Sequence, residues 1–235
     1  MLADAARQIA SMFFGGSCFL CRGAAARGAV LCAPCQADLP SLAALRCPRC
    51  ALPAEAGALC GRCIAHPPQY DATVAALEYR FPADALIHAL KYRGELALAP
   101  FLAGRLAAEI PAGEWVDLAM PVPLSPARMR ERGYNQSMEI ARFLRPRGRL
   151  SLEPALCSRV RDTPAQTELP WAERARNVRN AFRCERVLDG VTVAVIDDVM
   201  TTGATLDAVA AALKRAGAER VVNWVVARTL PPTDA

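Results

Sequence analysis

Eight of the ten cysteines lie between Cys18 and Cys63, grouped as four Cys-x-x-Cys pairs, CFLC, CAPC, CPRC and CGRC, with ten, eleven and nine residues between successive pairs. Two thiolates spaced this way clasp one metal from a tight turn, and two such knuckles complete a tetrahedral four-sulfur shell. Four knuckles call for two zinc ions. Taken in order, Cys18, Cys21, Cys32 and Cys35 hold the first, and Cys47, Cys50, Cys60 and Cys63 the second; an interleaved pairing meets the same spacing and stays open. A filled shell leaves no position for water, so the metal is structural and not catalytic. The segment has few large apolar residues, and metal binding therefore supplies much of its folding free energy. Fourfold repetition in a chain read as cytosolic argues against a disulfide framework. His66 follows a shell already complete, while Cys157 and Cys184 stand alone, so none of the three is expected to bind metal.

The 235 residues suffice for one mid-sized α/β domain plus a small module. HPPQYD, from His66 to Asp71, reads as a linker because consecutive prolines hold the chain extended. The expected division is a double zinc-ribbon module over 1–66 and an α/β domain over 67–235. In the second part, strands are expected at Ala72–Leu77, Val191–Ile196 and Val221–Ala227, and Trp115–Leu124 is expected to be a buried strand running into a proline-stiffened turn. Helices are expected over Ala83–Ile110, broken near Gly94, and at Asn135–Leu144 and Leu206–Ala216. This alternation predicts a parallel sheet flanked by helices. His88, among apolar neighbours, reads as a core residue. No apolar run reaches the length of a bilayer span and the first residues lack signal-peptide character, so a soluble, cytoplasmic protein is expected.

The stretch VAVIDDVMTTGAT, Val193 to Thr205, is the most informative for chemistry. An apolar strand ends in Asp197 and Asp198, and a short loop of small and hydroxylated residues opens a helix. Gly203 and Ala204 let the backbone approach a ligand closely. Thr201, Thr202 and Thr205 offer hydroxyls beside the free amides of a helix N-terminus, which together make a phosphate cradle. The carboxylates suit ribose hydroxyls, directly or through Mg²⁺. Acidic strand ends and Thr-Gly helix starts are also common as simple caps and turns. In this order, however, the residues resemble the signature of type I phosphoribosyltransferases, which bind phosphoribosyl pyrophosphate (PRPP). That resemblance makes Asp197 and Asp198 the ribose contacts and Thr201, Thr202, Gly203, Ala204 and Thr205 the 5-phosphate loop.

LIHALKYRGE (Leu86 to Glu95), PVPLSPARMRERGYNQS (Pro121 to Ser137), the segment from Arg159 through Gln166 to NVRNAF, and the terminal VARTL extend the match. With the cysteine ribbon in front, the chain resembles the ComF/GntX family over essentially its full length. The resemblance implies a double zinc ribbon joined to a phosphoribosyltransferase fold. It also implies a role in DNA uptake and single-stranded DNA handling, with a ComFA-like helicase as an expected partner. It places Pro121, Val122 and Pro123 near the pyrophosphate of Mg²⁺-bound PRPP. Arg132, Arg174 and Asn177 become candidates for pyrophosphate or nucleic acid, with Arg128 and Arg130 weaker ones. Tyr134 could stack on a base, although a semi-buried aromatic is the commoner role.

Charge is uneven. From Arg128 to Arg183 there are 13 arginines against six acidic residues, a local +7 in a chain whose net charge is +5. That asymmetry suits an anionic partner, although an arginine-rich composition alone would produce part of it. One departure bears on chemistry: purine-salvage members of the fold place a carboxylate two residues before the loop glycine, where this chain has Thr201, so purine salvage is disfavoured. Three functions remain: a PRPP-binding protein that handles single-stranded DNA, an active phosphoribosyltransferase acting on an unidentified nitrogen nucleophile, and a sensor that reports PRPP to a partner.

Overall fold

The computed structural model describes residues 16–144, 151–161 and 181–231. The short helices α1 (Ala33–Ala37) and α2 (Gly61–Ala65) each follow a cysteine of a knuckle, Cys32 and Cys60, in the N-cap position. The sheet begins with β1 (Ala72–Glu78), followed by α3 (Ala83–Tyr92), α4 (Leu98–Glu109) and β2 (Leu118–Pro121). Next come α5 (Pro126–Arg132), α6 (Gln136–Phe143) and the short strands β3 (Ser151–Leu152), β4 (Cys157–Arg159) and β5 (Phe182–Cys184). The central strand β6 (Thr192–Met200), α7 (Ala204–Arg215) and β7 (Arg220–Arg228) complete the described order.

Five strands form one parallel sheet in the order β1-β7-β6-β2-β3. Both faces are covered, and the two-residue period of the strands sorts side chains between them. Along β6 and β7, Ala194, Ile196, Val222, Trp224 and Val226 join α3, α4 and α6 on one face. Val193, Val195, Val221 and Val225 join α7 and the β4–β5 pair on the other. The expected parallel α/β architecture is thus observed. The long helical stretch is split as expected, with Gly94 at φ +69° between α3 and α4. One expectation fails: His88 is exposed on α3, its ring 4.7 Å from that of Tyr92, because it falls on the helix face opposite Leu86 and Leu90.

β1 is an edge strand, and the cysteine-rich segment covers it. Thr73 and Glu78 donate backbone N–H bonds to the carbonyls of Pro48 (3.1 Å) and Pro40 (2.9 Å). Arg46 donates to the carbonyl of Ala75 at 2.9 Å, and Ser41 bridges Leu77. Groups that would otherwise offer an open template for another strand are thereby paired. The HPPQYD segment, which bends at His66 and Gln69, is pinned to the larger domain. Gln69 N–H donates to the Asp207 carboxylate (2.6 Å), and Asp71 exchanges two 2.8 Å bonds with the backbone of Val221.

Candidate functional site

Strand β2 passes outward to β3 on one flank, and β6 to β7 on the other. The carboxyl ends of β2 and β6 therefore border the point where strand order reverses, the place where open parallel sheets hold ligands. A cleft opens there, lined by Asp197, Asp198, Thr201 and Thr205 from β6 and its loop, and by Val122, Leu124, Arg128, Arg132 and Gln136 from the segment after β2. Tyr79, Lys91, Tyr92 and Arg159 complete the walls.

The two carboxylates differ electrostatically although adjacent. Both are buried. Burial would push Asp198 up, but the Lys91 ammonium, 2.9 Å from Asp198 Oδ2, overrides it and holds the carboxyl below its usual range. Burial likewise opposes the charge on Lys91, and the Asp198 carboxylate reverses that effect and raises its pKa. Asp197 is pushed up to about 7, first by burial and then by the charge of Asp198. The Ser137 hydroxyl, donating to Asp197 Oδ1 at 2.8 Å, works the other way, and the Asp198 amide bonds the same oxygen at 2.9 Å. One carboxylate is thus firmly ionised, and its neighbour changes charge near neutrality.

Beyond them the loop turns into α7. Gly203 sits in the N-cap position at φ +85°, where an added Cβ would lie 2.8 Å from Met200 Cε and 3.0 Å from the Tyr70 hydroxyl. Only glycine suits both that backbone and that space. Thr202 is buried, its Oγ1 accepting from Ala204 N–H at 3.1 Å, whereas Thr201 and Thr205 face the cleft. Of the three hydroxyls expected from the sequence, those of Thr201 and Thr205 line the cleft, while that of Thr202 is turned inward and takes up the Ala204 amide.

The opposite wall is built by PVPLSPARMRERGYNQS. Ser125 caps α5, its Oγ accepting from Arg128 N–H, with Pro126 in the first turn; Gly133 ends the helix at φ +75°. Buried Asn135 then caps α6 by accepting from Ser137 and Met138 N–H, while its amide donates to the Val122 carbonyl at 2.9 Å. Such a cap contributes about 1 kcal/mol, and here it also ties the helix start to the end of β2. Of Pro121, Val122 and Pro123, only Val122 reaches the cleft. Arg128 and Arg132 reach it and Arg130 does not; Arg132 donates to Gln136 Oε1 at 3.2 Å and lies over the Tyr92 ring, 5.0 Å from its centre. Tyr134 donates its hydroxyl to the Leu90 carbonyl, so its role is to pack α3 and not to stack on a base. Arg174 and Asn177 lie outside the described residues. Lys91, Ser137, Tyr79 and Arg159 enter the site without having been given a role in the sequence, although Lys91 and Ser137 lie inside two of the matched stretches and Arg159 opens a third.

The cysteines form two groups in sequence order, Cys18, Cys21, Cys32 and Cys35, and Cys47, Cys50, Cys60 and Cys63, with the sulfurs of each group within 4.8 Å of one another. Tetrahedral zinc with bonds of about 2.3 Å needs sulfurs about 3.8 Å apart, and the Cys21–Cys32 and Cys50–Cys60 pairs stand at 3.6 and 3.5 Å. Burial opposes a thiolate at Cys18, but the amides of Cys21, Cys32 and Leu20 bring it down to about 6. At Cys47 the amides of Cys60, Cys50 and Arg49 outweigh burial in the same way, to about 7. Neighbouring thiols and burial push Cys35 up, and burial and neighbouring thiols push Cys50 and Cys63 up, so without metal each group shares out its protons. Both groups fit structural zinc. His66, exposed, belongs to neither.

Residues 9–64 match a double zinc ribbon domain and residues 151–230 a phosphoribosyl transferase domain. The chain is 35% identical over 223 residues to the DNA utilization protein YhgH of Salmonella typhimurium, covering 92% of this chain and 98% of that one. It is 31% identical over 233 residues to Competence protein F of Haemophilus influenzae, with the same shares covered. The chain belongs to the ComF/GntX family. Among solved structures, a hypoxanthine phosphoribosyltransferase from Staphylococcus aureus aligns at 11% identity over 59% of this chain and 74% of that one, with a TM-score of 0.33, an overlap too slight to bear on function. No helix among the described residues of this ComF/GntX chain is long and apolar enough to cross a membrane.

Proposed function

We propose that this ComF/GntX chain binds Mg²⁺-PRPP in the cleft and handles single-stranded DNA during DNA uptake, a reading supported by relatives named for DNA utilization and for competence. The observation that carries the reading is the pairing of a buried carboxylate couple with a threonine-rich helix start at one strand end, facing two arginines across the switch point. Asp197 and Asp198 accept the ribose hydroxyls. The hydroxyls of Thr201 and Thr205, with the amides of the α7 start, receive the 5-phosphate. Arg128 and Arg132 offer forked donors to the pyrophosphate; from beyond the described residues Arg174 is proposed to do the same, and Asn177 to donate through its side-chain NH₂. Mg²⁺, when bound, would neutralise pyrophosphate charge beside the ionised Asp198. The ribbon over 1–66 and the arginine-rich middle of the 67–235 domain supply phosphate contacts to DNA, and a ComFA-like helicase is the proposed partner.

A second reading is favoured by the two arginines on the wall facing the carboxylates. If a nitrogen nucleophile enters, its bond to ribose C1 forms as the C1–oxygen bond breaks, and Arg128 and Arg132 stabilise the departing pyrophosphate. Titrating zinc-loaded protein with Mg²⁺-PRPP and with a short single strand separates the readings. Saturable binding of both, without steady pyrophosphate release from a metabolite pool, supports the first; release with a defined acceptor supports the second. The Asp197→Ala, Asp198→Ala double variant is expected to lose PRPP binding and keep two zinc ions. Unchanged PRPP affinity in it removes the site assignment.

A further inference from the structure

The VARTL stretch at the end of β7 has no role in the site described above, yet its arginine is a buried cation bonded through Nε and Nη1 to four backbone carbonyls, with Nη2 buried and unpartnered. Arg228 is fully buried. Its Nε donates to the carbonyl of Cys50 at 2.8 Å, and its Nη1 to those of Met200 (2.9 Å), Thr201 and Thr229 (2.8 Å). One guanidinium therefore joins a knuckle of the second cysteine cluster to the first residues of the phosphate loop. A second cation makes a parallel link: Arg62, between Cys60 and Cys63 of the same cluster, donates to the carbonyl of Thr202. Tyr70, which follows the cluster, packs against Gly203.

The cluster is itself fixed to the sheet. Pro48 O accepts from Thr73 N–H at 3.1 Å and Arg49 O from Thr73 Oγ1 at 2.7 Å, while Asn223 of β7 donates to that same hydroxyl at 3.2 Å. Three successive carbonyls of the knuckle are thus held by β1 and β7, and three successive carbonyls of the loop are held by arginines tied to the cluster. In a trans peptide the C=O and N–H point opposite ways. Drawing the carbonyls of Met200, Thr201 and Thr202 toward the arginines turns the amides of Thr201, Thr202 and Gly203 to the other side. When loaded, a four-thiolate zinc centre would carry two net negative charges, and the buried Arg228, which already senses the charge of Cys50, would offset part of them.

We propose that the second cysteine cluster shapes the phosphate loop, with Arg228 as the positioning residue and Arg62 as its exposed second strut, so that anion binding at the loop and metal binding at this cluster are energetically linked. The proposal rests on the reading of Thr201–Thr205 as a phosphate loop. Linkage requires each site to strengthen the other by the same factor. The first cluster makes no such hydrogen bond to the loop among the described residues.

The test uses the full, zinc-loaded chain with three readouts: zinc content, amide hydrogen exchange over residues 200–206 and Mg²⁺-PRPP affinity. Arg62→Gln, an exposed substitution that leaves the core intact, is expected to retain two zinc ions, speed exchange in the loop and weaken PRPP by about fivefold; Arg228→Met is expected to do so by about fiftyfold, with partial rescue in Arg228→Lys. Exchange over Val221–Val226 of β7 stays slow if the effect is positional and not general unfolding. Saturating PRPP is expected to slow chelator extraction of one of the two zinc ions. Wild-type loop exchange and PRPP affinity in both Arg62→Gln and Arg228→Lys, or equal protection of both metals, overturns the proposal. Should Arg228→Met fail to fold, Arg62→Gln and the extraction experiment still decide it. Should the wild type not bind PRPP at all, the functional reading fails, and the loop-exchange comparison continues to judge the coupling alone.

Discussion

The two cysteine clusters share a ligand set and nearly the same spacing, but the fold uses them differently. In the first, Cys18 is buried, Cys21 is exposed and Cys32 and Cys35 are half-buried, and the surroundings pack against the α3–α4 face of the sheet. In the second, Cys47, Cys50 and Cys63 are buried within the core on the α7 face, and the knuckle backbone is hydrogen-bonded to β1 and Arg228. The exposed Arg22 and Arg27 flank only the first. A Cys₄ knuckle is thus a local solution to folding a core-poor segment, and its further use depends on what its outward carbonyls and neighbouring side chains meet. The first cluster keeps one exposed cysteine, while the second is hydrogen-bonded to the sheet and, through Arg228 and Arg62, to the loop that borders the cleft.

The largest effect should come from breaking one cluster at a time. Cys47→Ser with Cys50→Ser and Cys18→Ser with Cys21→Ser should each lower zinc content from two to one. Only the first change should also abolish PRPP binding. It should lower the melting temperature by about 10 °C or more, because a structural zinc contributes several kcal/mol and each kcal/mol moves a chain of this size by roughly 2–4 °C. The other change should leave PRPP affinity within about threefold. Equal losses of PRPP affinity in the two variants, measured by titration calorimetry on protein shown by metal analysis to hold one zinc, would erase the distinction between the clusters.

Much of this was readable in the chain because the relevant residues are contiguous. The cysteine pairs, the strand Val191–Ile196 and the loop from Asp197 to Thr205 each lie within one short segment, and spacing alone places them on a knuckle, a buried strand and a helix start. What escaped comes from folding over distance. Lys91 is 107 residues from Asp198, Ser137 is 60 from Asp197, and Arg228 is 178 from Cys50. No periodicity reports those pairings. The strands β3, β4 and β5, two or three residues each, are too short to carry an alternation. The exposure of His88 escaped because apolar neighbours in sequence say little about which helix face a residue occupies.

A smaller effect concerns pH. Asp197 has its folded pKa at about 7, above the unfolded value of 3.8, so the folded chain holds a proton that the unfolded chain has lost in that window. The stability this group contributes is fully present below the unfolded value and falls as pH rises through about 7. PRPP binding should run the other way, strengthening through the same range as the carboxylate ionises. Ser137→Ala removes a hydrogen bond that favours the ionised form, so the inflection should move upward, set against the phosphate's own titration as a control. The first-cluster variant should keep the wild-type inflection. A shift there would show that the clusters are not independent in their reach to the cleft.

The smallest effect separates the two basic surfaces. If the first cluster faces DNA, neutralising Arg22 and Arg27 should leave PRPP affinity unchanged and flatten the salt dependence of single-strand binding, by about 0.7 in slope for each phosphate that the chain no longer neutralises. Arg132→Gln should flatten it similarly but also weaken PRPP, because Arg132 lines the cleft. Both reductions should be the same for every strand sequence, since phosphate contacts carry no base information. A reduction confined to certain bases would mean that the first cluster reads sequence, and its exposed face would then be a recognition surface and not only an electrostatic one.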